Sequence, residues 1–183
     1  LPGLAACERH KPRVILITVD TLRADHVRPD LTPSLAALGR DSVVFSDAVT
    51  NATTTLPSHA SMLSGMLPWR HRVVENTGRV ESSTRMVPEE ARAAGFRTGA
   101  VISSFPLRGD DSGMRRGFDD YDDTFDSHEE NRRGQLVKSP EETTRRALAW
   151  AKEHAGEKFF LWVHYVPPHG PYAAPARFLD PSE

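Results

Sequence analysis

Residues 14–20 read Val-Ile-Leu-Ile-Thr-Val-Asp, a near-continuous apolar run rich in β-branched side chains that stops on a carboxylate. Unbroken rather than alternating hydrophobicity predicts a strand covered on both faces, as in a parallel sheet. Two later segments repeat the pattern, TGAVIS over residues 98–103 and KFFLWVHYV over residues 158–166. Helical signals lie between them. Thr32 and Pro33 form an N-cap followed by proline at the first helical position, with Leu35 and Leu38 at helical spacing and Gly39 as the stop. Pro57 opens a helical stretch through Ala60, Met62 and Leu63 that Gly65 ends. Thr84 to Ala94 predicts a helix closed by Gly95, and Ser139-Pro140 starts another that runs to His154, with Ser139 and Glu142 as a capping box. Val43 to Val49 reads as one more extended segment. Buried strands alternating with helices predict an α/β fold with a largely parallel central sheet flanked by helices.

A chain of 183 residues with 38% hydrophobic content holds enough apolar material for one packed core. Its 23 basic and 25 acidic residues give a formal charge of −2, so no global field marks it as a nucleic-acid binder. No apolar run approaches the ~18 residues needed to cross a bilayer. From Asp110 to Arg133 acidic residues crowd among Gly and Ser. The EF-hand order with its central glycine and terminal glutamate is missing there, so the segment is expected to be an irregular, solvated loop. The single cysteine, Cys7, rules out an internal disulfide and a cysteine-based zinc cluster. It closes the tetrapeptide Leu4-Ala5-Ala6-Cys7, which reads either as a bacterial lipobox without its apolar leader or as an ordinary free thiol. The charged stretch from Glu8 to Arg13 fits a tether and favours the lipobox, giving residues 1–12 as tether and residues 13–183 as the folded portion.

Three places could carry chemistry. In an open α/β sheet, ligands gather outside the carboxyl ends of the strands, which is where Asp20 stands. A carboxylate there serves equally as a cation ligand or as a turn former. The segment Thr53-Thr54-Thr55-Leu56-Pro57-Ser58-His59 places hydroxyls at a helix start, where backbone N–H groups and the helix dipole favour an anion. A hydroxyl held there beside a metal can attack phosphorus or sulfur, whereas the simpler alternative is that a threonine caps the helix. The third is the end of the last strand, His164-Tyr165-Val166-Pro167-Pro168-His169-Gly170-Pro171-Tyr172, where prolines hold His169 at the same sheet edge as Asp20. His10, His128 and His154 read as surface residues.

These pieces occur together and in order in one family. VILITVDTLRADH from Val14 to His26, TPSLAALGRDSVVFSDAVT, TLPSHASMLSGMLPWRH from Thr55 to His71, GFRTGAVISS, RRGFDDYDD and FFLWVHYVPPHGPY closely resemble bacterial sulfatase-like hydrolases of the alkaline phosphatase superfamily. The likeness covers nearly all of residues 13–183 and implies an alkaline-phosphatase-like α/β fold, of which this chain is the N-terminal part. It places Thr55 where the family keeps the Cys or Ser that becomes formylglycine, and related phosphodiesterases and phosphotransferases use threonine directly as nucleophile and metal ligand. It makes Asp20 the first metal-binding acid, with Thr21 where many sulfatases have a second. His59 replaces the arginine of the motif and is left to contact the nucleophile or an anionic substrate, without arginine's bidentate fork. His169 matches the histidine at the ester group, with Pro168 in place of an acid, and His71 matches a substrate-side histidine, with Arg72 replacing the following glycine. The family's Gly-Lys-Trp-His segment has no counterpart.

The resemblance therefore implies a metal-dependent hydrolase of sulfate or phosphate esters. Its cofactor would be a divalent ion, calcium if sulfatase-like and zinc or manganese if phosphodiesterase-like. Its substrate would be a small-molecule, glycan or lipid ester, with no nucleic-acid partner and membrane contact only through a lipid anchor. Two other readings stay open: a phosphodiesterase or phospho-headgroup transferase using threonine, and a non-catalytic binding or scaffold relative. Family members extend beyond this chain and carry further metal ligands there, so the isolated chain is expected to be inactive. If Cys7 is lipidated, the protein belongs in the cell envelope or periplasm. Fractionation of the full-length protein should then show a membrane-bound pool that Cys7→Ser releases, and an unchanged distribution would remove the anchor.

Overall fold

The computed structural model describes residues 11–125, 137–170 and 172. Four strands form one parallel sheet: β1 (Arg13–Val19), β2 (Arg97–Val101), β3 (Asp120–Asp122) and β4 (Phe159–Tyr165), in the order β1-β4-β2-β3. Helices α1 (Pro33–Arg40), α2 (Thr55–Ser64), α3 (Pro68–His71), α4 (Val87–Ala93), α5 (Gly109–Ser112) and α6 (Pro140–Glu153) connect them. Because every strand pair is parallel, all four carboxyl ends lie along one edge.

The side-chain period of two divides the core between the faces of β4. Phe160 and Trp162 join Leu56, Ala60 and Leu63 of α2, with Met86 and Phe118, on one face. Phe159, Leu161 and Val163 pack with Ala147 and Trp150 of α6 on the other. Along β1 the same alternation turns Leu16 toward the α2 layer, and Trp162 Nε1 donates to Thr18 Oγ1 at 3.1 Å. Asp20 is next in that series.

Several sequence-based expectations need correction. β1 is not covered on both faces: Val14, Ile15 and Ile17 are 46, 53 and 57% exposed. Among the described residues it stands at the edge of the sheet, paired with β4, and α6 packs over β4 and β2 instead. Val43 to Val49 forms no strand and is exposed, since it joins no sheet neighbour. Thr32 stands at the N-cap position of α1 but spends its hydroxyl on the preceding turn, donating to His26 O at 3.0 Å, and the helix runs through Gly39 to Arg40. α2 starts at Thr55 rather than Pro57, and Gly65 ends it in the left-handed region at φ 68°. α4 begins at Val87, not Thr84, with Glu89 Oε2 accepting from Met86 N at 2.9 Å. Ser139 caps α6 through Glu142 N, while the Glu142 carboxylate pairs with Arg145 and Arg146.

The acidic segment departs furthest from its expected form. It contains most of α5 and all of β3, and three of its carboxylates, those of Asp119, Asp120 and Asp122, are engaged by partners, whereas Asp110 and Asp111 are exposed. Asp119 accepts from Thr98 N and Thr98 Oγ1, Asp120 binds Arg97 and Trp150 Nε1, and Asp122 binds Arg146 and the fully buried Lys138. Asp126, Glu129, Glu130, His10, His128 and Cys7 lie outside the described residues. His154, expected at the surface, is buried against Trp150 at 4.4 Å and bonded to Glu157. No helix among the described residues is long and apolar enough to cross a membrane.

Packing of α6 on the sheet depends on a bare backbone at Gly99. A Cβ there would lie 2.5 Å from the Trp150 ring, which is itself held by Asp120. Gly99→Ala should therefore cost about 1–3 kcal/mol in chemical denaturation, as expected for overpacking.

Candidate active site

The ladder between β1 and β4 continues one step past the strands, with Asp20 N donating to Tyr165 O at 2.9 Å. The chain then reverses through Thr21 at φ 56°, a left-handed conformation uncommon for a β-branched residue. This fixes the Asp20 carboxylate at the carboxyl edge, on the α2 side. The first residue of α2 meets it there: Thr55 Oγ1 donates to Asp20 Oδ2 at 3.0 Å.

That bond bears on whether Thr55 is a cap. Thr54 holds the N-cap position and makes no side-chain bond to the helix. A free helix N–H is satisfied from elsewhere, by Asn76 Oδ1 accepting from Leu56 N at 2.8 Å. Thr55 thus lies inside the first turn with its hydroxyl committed to a carboxylate. Around it the cleft is lined by Thr21, Thr50, Thr53, Thr54 and Ser58, and no lysine or arginine is among the described lining residues. An anion entering here would meet hydroxyls and a helix N-terminus rather than fixed cations.

His59 follows one helical turn later and is almost fully buried. Its Nδ1 lies 2.7 Å from Thr55 O, and since a carbonyl only accepts, Nδ1 carries the proton. Burial pushes its pKa down, so the ring is neutral and Nε2 holds a lone pair without a hydrogen-bond partner. The expected contact with the nucleophile is therefore to its backbone carbonyl, not its hydroxyl.

A second buried imidazole, His164 on β4, stands edge-on to His59 with ring centroids 4.9 Å apart. Its Nε2 also lacks a hydrogen-bond partner and sits 3.9 Å from Asp20 Oδ2. Sequence reasoning gave it no role. The available signal was a polar residue in an otherwise apolar central strand. Asn76 was missed too, because nothing local links residue 76 to residue 56.

Two expected site residues stand apart. His71 is buried under α2, with Nε2 2.9 Å from Ser61 Oγ and Nδ1 accepting from Val73 N at 3.2 Å. Both nitrogens are used, and it does not line the cleft. His169 is exposed on the loop after β4, where Nδ1 donates to Gly170 O at 2.8 Å. The loop belongs to the same sheet edge, but the hydrogen bonds of His169 stay within it.

Among the described residues no three His, Cys, Asp or Glu side chains gather to hold a metal. A partial donor set is present. Asp20 Oδ2 and Thr55 Oγ1 are 3.0 Å apart, close to the ~3 Å between adjacent oxygens around a small divalent ion, and two unpartnered imidazole nitrogens lie beside them. These residues fit a share of a cation site.

The family model for Sulfatase matches residues 12–183. The multifunctional alkaline phosphatase superfamily protein PehA of Trinickia caryophylli is 25% identical over 225 residues, covering 92% of this chain and 44% of that protein. The choline-sulfatase of Rhizobium meliloti is 33% identical over 94 residues, covering 48% of this chain and 18% of that one. The solved structure of the phosphonate monoester hydrolase SpPMH from Silicibacter pomeroyi superposes with a TM-score of 0.67 at 24% identity, covering 94% of this chain and 45% of that chain. The chain spans less than half the length of each of these proteins.

Because Asn76 and not a threonine satisfies the helix start, Asn76→Ala should destabilise the fold by about 1 kcal/mol in denaturant titration, and Asn76→Asp should recover most of it.

Proposed function

This chain belongs to the sulfatase family, and on that premise we propose that it forms the nucleophile-bearing part of a metal-dependent hydrolase of sulfate or phosphate esters. The observation that carries this reading is the 3.0 Å bond from Thr55 Oγ1 to Asp20 Oδ2 at the N-terminus of α2. It orients the hydroxyl on a helix end whose N–H groups face the incoming anion. A bound divalent cation would supply positive charge to the acidic hydroxyl and to the ester oxygens, with Asp20 and Thr55 as its ligands from this chain.

The residues divide the work simply. Asp20 takes the Thr55 hydrogen bond and keeps Oγ1 aimed out of the helix. His59 holds the Thr55 carbonyl and so fixes the backbone under the nucleophile. As the Thr55 hydroxyl proton passes toward Asp20 Oδ2, the Thr55 oxygen bonds to sulfur or phosphorus and the bond to the ester oxygen breaks, that oxygen taking up a proton as the alcohol leaves; water later releases the inorganic anion and restores the hydroxyl. His169, on the edge loop, is assigned to the leaving-group side. The names of PehA and the choline-sulfatase support ester hydrolysis as the class and leave sulfate and phosphate both in play.

A second reading has one specific observation behind it. The residue at the nucleophile position is threonine, a side chain able to act without maturation, which suits a phosphodiesterase or a transferase of phospho-headgroups.

The test uses the full-length protein with aryl sulfate, phosphomonoester and phosphodiester substrates. Thr55→Ala should lower turnover by at least about 10³-fold while the fold persists, and Thr55→Ser should keep part of the activity. Rapid quenching followed by mass spectrometry should find a sulfo- or phospho-adduct on Thr55. Full activity in Thr55→Ala would end the nucleophile assignment, and hydrolysis of the sulfate ester alone would remove the second reading.

A further inference from the structure

The ladder between β2 and β4 ends at the pair Val101 and Val163. Past it the backbone that follows β2 turns to other partners: Ile102 N donates to Asp122 O at 2.9 Å, and Ser103 O accepts from Lys138 N at 3.3 Å. Buried peptide groups at the end of β4 then need partners of another kind. The Ser103 side chain supplies them. Fully buried, its hydroxyl donates to His164 O at 2.5 Å and its oxygen accepts from Val166 N at 3.0 Å. One oxygen thereby holds the two peptide groups that flank Tyr165.

The second of those peptides leads directly to the site. Its N–H is that of Val166, bound by Ser103, and its C=O is that of Tyr165, which accepts from Asp20 N at 2.9 Å. A peptide group is planar, so fixing its N–H also fixes the direction of its C=O. Ser103 and Asp20 therefore grip the two ends of one rigid unit, and Asp20 in turn receives the Thr55 hydroxyl at 3.0 Å. The same anchorage serves the loop after β4. Pro167 and Pro168 carry no N–H, and the loop is drawn back onto Val166 by His169 N donating to Val166 O at 3.0 Å.

We propose that Ser103 is a positioning residue: by holding the Tyr165–Val166 peptide it aims Asp20 at Thr55 and seats His169 on the same strand end. This role rests on the assignment of Asp20, Thr55 and His169 above. A serine that only satisfied buried backbone groups would support the fold and leave turnover of the folded enzyme alone. A positioning serine controls rate, because displacing catalytic groups by about 1 Å can cost on the order of 10²-fold.

Two measurements on the full-length protein decide this. Amide hydrogen exchange read by mass spectrometry should rise about 10-fold or more at Asp20, Val166 and His169 in Ser103→Ala, while the amides of the α2 core residues Ala60 and Leu63 keep wild-type protection. On whichever aryl ester the wild type hydrolyses, Ser103→Ala should lower kcat about 10- to 100-fold with KM within about 3-fold. Ser103→Cys keeps the side-chain shape and weakens both bonds, so it should give the same pattern in smaller measure, and it decides the matter if Ser103→Ala does not fold. Wild-type kcat in a folded Ser103→Ala protein, or unchanged exchange at Asp20 and His169, would overturn the proposal. If the wild type hydrolyses no ester, the proposed function falls, and exchange at Asp20 and His169 still decides what Ser103 does.

Discussion

The site depends on β4 being paired on both sides and buried along its length. Its parallel bonds to β1 bring Val19 level with Tyr165, and the next bond, Asp20 N to Tyr165 O, sets where the carboxylate leaves the sheet. Its bonds to β2 bring Ser103 close enough to clamp the end of β4 through His164 O and Val166 N. Its apolar side chains supply a wall for each helical layer. Move β4 by one residue and the period of two would turn His164 away from Asp20 and toward α6.

Around that strand the cleft is organised by polarity more than by charge. The two imidazoles nearest Asp20 are held neutral by burial, and the lining side chains of α2 and the preceding loop are mostly hydroxyls. The formal charges cluster elsewhere, on β3 and its surroundings, where Arg97, Arg146 and Lys138 are paired with Asp120 and Asp122. In a buried setting, a hydroxyl committed to one carboxylate and a backbone carbonyl committed to one imidazole restrict the first turn of α2 more tightly than solvated groups could. Four buried side-chain nitrogens among the described residues lack a partner, and two of them, His59 Nε2 and His164 Nε2, lie beside the proposed nucleophile, the others being Arg97 Nε and Arg116 Nε. Natural structures leave few buried polar atoms unpaired, so the pair beside Thr55 stands out among the polar groups of the cleft.

Much of the fold was legible in the chain. The runs at residues 14–19, 98–103 and 158–166 predicted parallel strands, and proline and glycine punctuation placed most helices to within a few residues. The errors share a physical cause. A hydrophobic run reports that a segment seeks cover but not whether cover is present, so β1 read as central and stands at the edge. An acidic run reports charge but not partners. Arg92, Arg97, Arg146 and Lys138 arrive from distant parts of the chain, and three residues of the expected loop, Asp120–Asp122, form the strand β3.

For the site, the amino-acid sequence by itself determined the family, the parallel α/β class, and the candidacy of Asp20 and Thr55, because strand ends and helix starts are local features with local signals. It left open whether Thr55 capped its helix, and it gave no role to His164 or Asn76. Only the tertiary structure decided those points. The bonds concerned join residues 20 with 55, 56 with 76, and 103 with 164. A hydrogen bond needs its partners within about 3 Å, and no periodicity along the chain encodes which distant donor will arrive there.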